Sequence, residues 1–354
     1  MTSTFSVAGG PVPYAALALQ TACYAVNHQP DASGARAAIR RNIERVERQI
    51  VASRAFIGPA LRLVVLPEYF ATGYPLGDPL PVWAEKAALA PDGEEYGQIS
   101  EMASRLGLYV SGNGYETDAN FPGLYFQASF VFDDTGKKVL SYRRLVSMFA
   151  PTPHDVWDRY LEIYGLDAVF PVADTPLGRL ACIASEEILY PEIARSLALR
   201  GAEVFLHSSS EVASPRLTPK DIAKRARAYE NSAYVISANS GGIRDVDFPE
   251  SSVDGLSKIV DYKGEVIVEA GGGESMVANA LIDVAALRRH RKVPGMGNML
   301  ARQRLELFAA TYSGSVHPAN TMLNENGAPI VPDRSLFTIT QRQVIEELSA
   351  KGVI

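Results

Sequence analysis

Two apolar runs, RLACIA and AEVFLHSSS, bracket a helix-patterned stretch, YPEIARSLALRG, near the middle of the chain. Both runs have strand length, and the stretch between them carries apolar residues at helical spacing and closes on Gly201. The pattern recurs. ASGARAAIRRNIERVERQIVAS predicts an amphipathic helix, RLVVLPE a short strand stopped by Pro67, and YGQISEMASRLGLYVSGNGYE a helix followed by a strand. PKDIAKRARAYENSAYVISAN again reads as helix then strand, YAALALQTACYAV as a buried strand, and SMVANALI as another. Two hairpins interrupt the alternation. FVFDDTGKKVLSYRR turns at Asp-Thr-Gly and KIVDYKGEVIVEA at Lys-Gly, each between apolar strands. Strands separated by helices and mixed with hairpins imply a layered α/β fold with a mixed sheet. The similarity of the two hairpins points to a sandwich of two related halves.

Composition narrows the function classes. The 354 residues are 47% hydrophobic and 21% charged, ordinary globular values, with net charge −6. An acidic chain without a basic stripe is not expected to bind nucleic acid. No apolar run approaches the roughly 18 residues of a membrane span, and the N-terminus lacks a basic, apolar leader. With only Cys23 and Cys182, both in strand-like runs, a cytoplasmic location without a disulfide framework is the expectation. The five histidines show no H-x-x-x-H and the cysteines no C-x-x-C, so neither a metal nor a cofactor is expected. There is no G-x-G-x-x-G. The Gly271–Gly273 run precedes no helix, which makes it a poor phosphate cradle.

Several motifs occur in a fixed order. LVVLPEYFATGYP contains Glu68, GKKVLSYRRLV ends past Arg144, and LGRLACIASEEILYPEIARSLALRGAEVFL contains Ser185. RARAYENSAYVISANSGG and SKIVDYKGEVIVEAG follow. From about Tyr14 to Ala310 the chain resembles the nitrilase superfamily of carbon-nitrogen hydrolases. The resemblance implies an α-β-β-α sandwich over 14–310, pairing across a dimer interface, with 311–354 as a loop-rich C-terminal arm at a subunit interface. It implies action on a small amide, carbamoyl or nitrile compound. The family uses a Cys nucleophile, a Glu base and a Lys that stabilises the tetrahedral intermediate. Glu68 matches. The nucleophile position, six residues before Pro191, is Ser185, and the lysine position is Arg144. These are two separate departures, which favours divergence over a single Cys→Ser replacement.

A serine hydroxyl is far less acidic than a thiol and usually needs a base such as His. His207, at the end of the following strand, is a candidate to face the pocket; satisfaction at a strand end is the plainer reading. Cys182 is not a substitute, because strand alternation puts it on the face opposite Ser185. Lys137 and Lys138 lie at the turn end of their strand. Glu162 is the best match for a second family glutamate. Either Glu186 or Glu187 is expected to bond backbone amides and fix the turn. Tyr69, Phe70 and Tyr74 either wall a pocket around Glu68 or pack in the core. Arg227 and Glu230, three apart on one helix, read as a structural ion pair. Two functions follow: a hydrolase with weakened or altered catalysis, or an inactive relative that binds a ligand or partner in the old pocket.

Overall fold

The computed structural model describes residues 11–314 and 316–354. In chain order the strands are β1 (Tyr14–Ala18), β2 (Cys23–Tyr24), β3 (Leu61–Val65), β4 (Ala88–Leu89), β5 (Tyr109–Thr117), β6 (Tyr125–Phe132), β7 (Lys138–Arg143), β8 (Ala173–Thr175), β9 (Gly178–Ala184), β10 (Val204–Ser209), β11 (Tyr234–Asn239), β12 (Ile243–Arg244), β13 (Lys258–Val260), β14 (Val266–Glu269) and β15 (Asn279–Ile282). The helices are α1 (Ala32–Ile57), α2 (Leu80–Ala87), α3 (Glu94–Leu106), α4 (Trp157–Tyr164), α5 (Pro191–Leu199), α6 (Pro219–Asn231), α7 (Val284–Arg291), α8 (Glu306–Tyr312) and α9 (Ser335–Ala350).

Two mixed sheets face each other. The first runs β15-β1-β3-β5-β6-β7, with β4 on β5; the second runs β14-β13-β11-β10-β9-β8. The alternation of β1 and β3 builds two cores at once. Ala16, Ala18, Leu63 and Val65 meet Leu180, Cys182, Leu206 and Ile236 of the second sheet. Their neighbours Leu17 and Val64 point outward to Ile39, Ile43 and Val46 of α1 and to Ile99 and Met102 of α3. On the far side Ala181, Ile183, Phe205 and Val235 pack under Ile193 and Leu197 of α5 and Ala223 and Ala228 of α6. The result is the α-β-β-α sandwich. Each fully buried leucine, isoleucine or valine among these contributes about 1.5–3 kcal/mol.

Local signals set the elements as read from sequence. Asp31 caps α1 by accepting from the Gly34 amide at 2.7 Å. Both hairpins form, β6–β7 and β13–β14. In each turn an aspartate accepts from the amides that follow, Asp133 from Thr135 and Lys137, Asp261 from Lys263 and Glu265. The C-terminal segment is more ordered than a loop-rich arm. It carries the 16-residue α9. Met322 is buried and Leu336 and Phe337 are partly so, packed on Phe121, Phe126 and Tyr160 of the same chain. Tyr312 and Ile345 stay exposed. Among the described residues no helix is long and apolar enough to cross a membrane.

Candidate active site

Several strands of the two sheets end at one place. Just past β3, Glu68 donates its backbone N–H to Ser209 O at the end of β10, and the Ser208 hydroxyl donates to Leu66 O at 2.8 Å. These bonds tie a strand end of one sheet to a strand end of the other and bury Glu68. Its Oε1 accepts from Gln127 Nε2 at 2.8 Å and lies 3.4 Å from Arg144 Nη1; its Oε2 accepts from the Ser210 amide at 3.0 Å. Gln127, from β6, also accepts from Arg144 Nη1 at 2.6 Å and donates to Asn113 Oδ1 of β5 at 3.0 Å.

Arg144 follows β7 and is buried. Its Nε donates to Val146 O at 2.7 Å, Nη1 to Gln127 and Glu68, and Nη2 to Glu186. Four of its five N–H groups are therefore engaged within the protein. Burial opposes the Arg144 charge, but the surrounding Tyr69, Glu68 and Glu186 outweigh it and hold the guanidinium above its ordinary pKa.

Ser185 follows β9 in the left-handed region, φ 50°. A short 3₁₀ turn, Ser185–Leu189, leads from it into α5. A non-glycine residue at positive φ is strained, and such strain collects at functional turns. Glu187 fixes the turn. Its Oε1 accepts from the Leu145 and Val146 amides at 2.6 and 3.1 Å, and its Oε2 from Tyr142 Oη at 2.7 Å and the Ala184 amide at 3.2 Å. Of the two acids, Glu187 is thus the amide-bonding one, while Glu186 faces Arg144. Burial pushes the Glu187 carboxyl up to about 6, against the pull of Arg144 and these donors.

The other expected site residues are distributed as follows. His207 is buried but does not meet the Ser185 hydroxyl. Its Nε2 bonds the Ser185 carbonyl and its Nδ1 the Ser237 hydroxyl, both at 2.8 Å. Burial and then the Lys224 charge drive its pKa well below normal, so the ring is neutral. Its place is behind the turn, because β10 pairs in parallel with β9 and sets His207 beside Ile183. Glu162 is not brought to this pocket. It is exposed on α4 and lines a separate cavity of about 400 Å³ with Asp158, Arg159 and Asn324. Tyr69 is buried at φ 54° and stacks on Tyr115 at 4.7 Å between centroids. It therefore belongs both to the helix-side core and to the surroundings of Glu68. Cys182 lies in the inter-sheet core, facing away from Ser185 as strand parity requires. Lys138 pairs with Glu116 at 3.5 Å, away from this site. Arg227 and Glu230 pair at 3.0 Å.

The family model for carbon-nitrogen hydrolases matches residues 17–292, more than half of the chain and all of the strands that carry this pocket. The chain belongs to the carbon-nitrogen hydrolase family. This carbon-nitrogen hydrolase homologue is similar to a nitrilase of Pyrococcus abyssi, 29% identical over 254 residues, covering 70% of the chain and 86% of the relative. It is similar to human omega-amidase, 26% identical over 250 residues, 70% of the chain and 85% of the relative. Its fold matches the crystal structure of a carbon-nitrogen hydrolase from Helicobacter pylori with a TM-score of 0.63 at 21% identity, covering 85% of this chain and 99% of that one.

One residue of the homologue's pocket escapes the sequence reading. Lys220, in the first turn of α6, places Nζ 3.3 Å from Ser185 Oγ. The sequence signal for it is the cap Thr-Pro-Lys-Asp, in which Thr218 accepts from the Asp221 amide and so starts a helix right after the His207 strand. Gln127 and Asn113 have no such signal, because inward polar residues on a strand look the same whether they serve a site or a core.

Proposed function

We propose that this protein hydrolyses, slowly by the standard of its family, a carbon-nitrogen bond in a small amide, carbamoyl or nitrile compound, with Ser185 as the nucleophile. The observation that carries this reading is the strained turn: a hydroxyl held at φ 50° at the end of β9, bonded to Lys220, with Glu68 buried past the end of β3. A turn kept in that conformation by four bonds to Glu187 presents a preorganised nucleophile. Glu68 and Arg144 complete the electrostatic wall. Arg144 orients Glu68 and Gln127 more than it faces substrate, since most of its donors are taken. Weakened catalysis follows from a hydroxyl in place of a thiol and from a guanidinium in place of a compact ammonium.

The same saturation of Arg144 favours a second reading, a pocket that binds an amide-like or zwitterionic ligand without turning it over. A panel of short amides, carbamoyl compounds and nitriles, assayed for ammonia, separates the two. Release that Ser185→Ala abolishes supports the hydrolase; binding by calorimetry with no release above the Ser185→Ala baseline supports the binding protein.

The chain is also proposed to pair with a second copy. Leu189, Tyr190 and Leu199 around α5 and Leu307 and Phe308 of α8 are exposed, and Tyr312 Oη donates to Glu192, joining the two helices into one face. A monomer in sedimentation at micromolar concentration rejects that pairing.

A further inference from the structure

We propose that Lys220 is the proton-transfer partner of Ser185, so that the reaction runs on a serine–lysine pair supplied by β9 and α6 rather than on the carboxylate at position 68. This rests on the hydrolase reading above and names the group that makes a serine workable in it.

Each alternative base is occupied or misplaced. Both Glu68 oxygens already accept bonds, from Gln127, Arg144 and the Ser210 amide. A carboxylate is also poorly matched to a hydroxyl, whose proton it holds far more weakly than an amine does. His207 faces the Ser185 carbonyl through Nε2 and Ser237 through Nδ1, leaving no ring nitrogen for Oγ. Among the described residues, Lys220 is the one side chain bonded to the hydroxyl, at 3.3 Å. The nearby lysines are spent elsewhere. Lys224 pairs with Glu211 and Asp221, and Lys258 with Asp221 and Glu269.

The surroundings loosen the hold of the amine on its proton. Burial lowers the Lys220 pKa, the charges of Glu68 and Glu211 oppose this, and Lys224 and Arg144 reinforce it. His207, behind the turn, is neutral and adds no charge. The first turn of α6 adds the positive end of a helix dipole, which further disfavours an ammonium.

The step balances. Ser185 Oγ bonds the substrate carbonyl carbon as its proton passes to Lys220 Nζ and the carbonyl π pair moves to oxygen. The ammonium then gives that proton to the departing nitrogen, the C–N bond breaks, and an ester remains on Ser185. Water attacks the ester, losing a proton to Lys220, which returns it to Oγ as the acid leaves. The sum is amide plus water to carboxylic acid plus ammonia or amine.

The test uses the full chain. Ser185 is labelled with a small fluorophosphonate across pH 6–11, followed by intact mass, in the wild type, Ser185→Ala, Lys220→Arg and Lys220→Ala, with and without added methylamine. Ammonia release from the amide panel is measured in parallel, and circular dichroism melts check folding. Labelling confined to Ser185 is expected to rise through one ionisation below the ordinary lysine range. It should fall about 10²–10⁴-fold in both lysine variants and recover with methylamine only in Lys220→Ala. Labelling of Ser185 at an equal rate in Lys220→Arg overturns the proposal and leaves Ser185 as nucleophile. Labelling that depends on Lys220, without ammonia release from any compound, supports the pair and rejects the hydrolase reading. Neither labelling nor release rejects both.

Discussion

Arg144 and Ser185 end strands of different sheets, and the protein holds their side chains in opposite ways. Arg144 is enclosed by Val146, Gln127, Glu68 and Glu186, with its charge matched on several sides. Ser185 is restrained through its backbone, by His207 at its carbonyl and by Glu187 around its turn, while its hydroxyl bonds, among the described residues, only Lys220. One wall is rigid because its side chain is satisfied; the other has a rigid backbone and leaves its side chain available. The proposed chemistry draws on the second kind of wall, and stability on the first.

The sharpest way to break this comparison is Ser185→Ala. Ammonia release should drop by about 10⁴ or more, with a melting temperature within a few degrees of wild type. A large loss of stability with retained activity would exchange the roles of the two walls. Removing the charge of the other wall, Arg144→Met, should cost about 3–5 kcal/mol of stability in chemical denaturation, because it strips a cation from buried Glu68. A cost under about 1 kcal/mol would mean that the arginine network is not what holds this wall.

Reverting the nucleophile is a finer probe. Ser185→Cys should remain about 10²–10³-fold slower than an ordinary family enzyme, because Arg144 offers little donor capacity to an oxyanion. Adding Arg144→Lys should do better than either change alone, as groups that act together are not additive. Full activity in Ser185→Cys by itself would show that the arginine wall costs nothing.

Glu187 joins the walls, and its titration has a definite sign. Its folded pKa of about 6 lies above the ordinary glutamate value of 4.5. The ionised form is therefore the costly one. Its contribution is fully present below about pH 4.5 and is lost as pH rises through 6, an effect of about 2 kcal/mol. Glu187→Gln carries a fixed penalty for the lost acceptors but lacks this dependence. The stability gap between wild type and variant should narrow from pH 4.5 to pH 7.5; a gap that widens refutes the assignment. The smallest effect is expected at Lys138→Ala, whose partner Glu116 lies outside the pocket. Activity should stay within about twofold, because Lys138 pairs with Glu116 and takes no part in the bonds around Glu68 and Ser185.

The layered fold was legible because periodicity reports burial directly. The two-residue alternation in RLACIA separates Leu180 and Cys182 from Ala181 and Ile183, and those pairs occupy different cores. The same parity placed Cys182 away from the pocket. Spacing inside the motifs put Glu68 past β3, Arg144 past β7 and Ser185 past β9, each just beyond a strand. What spacing cannot encode is the direction of a side chain that leaves the regular lattice. Glu162 matched a motif by order along the chain, yet α4 turns it to solvent. His207 was near in sequence and near in space, but strand pairing aimed it at a carbonyl. Lys220 sits 35 residues from Ser185, and only the packing of α6 over the turn brings them together. The stretch before Ser335 is irregular as its composition suggests, while α9 went unread because its buried contacts are too sparse to show periodicity.

The left-handed backbone at Ser185 has a consequence for how this sequence changes over generations. An L-residue in that region costs roughly 1–2 kcal/mol, and a glycine there would recover much of it. Ser185→Gly is therefore a single substitution expected to make the protein more robust while removing its reactive hydroxyl. Threonine, with a branched β-carbon, is barred by the same geometry. One substitution would thus trade the hydroxyl for stability, and few other side chains would keep a hydroxyl in this geometry. Serine at 185 thus keeps a hydroxyl at a position where glycine is the more stable choice.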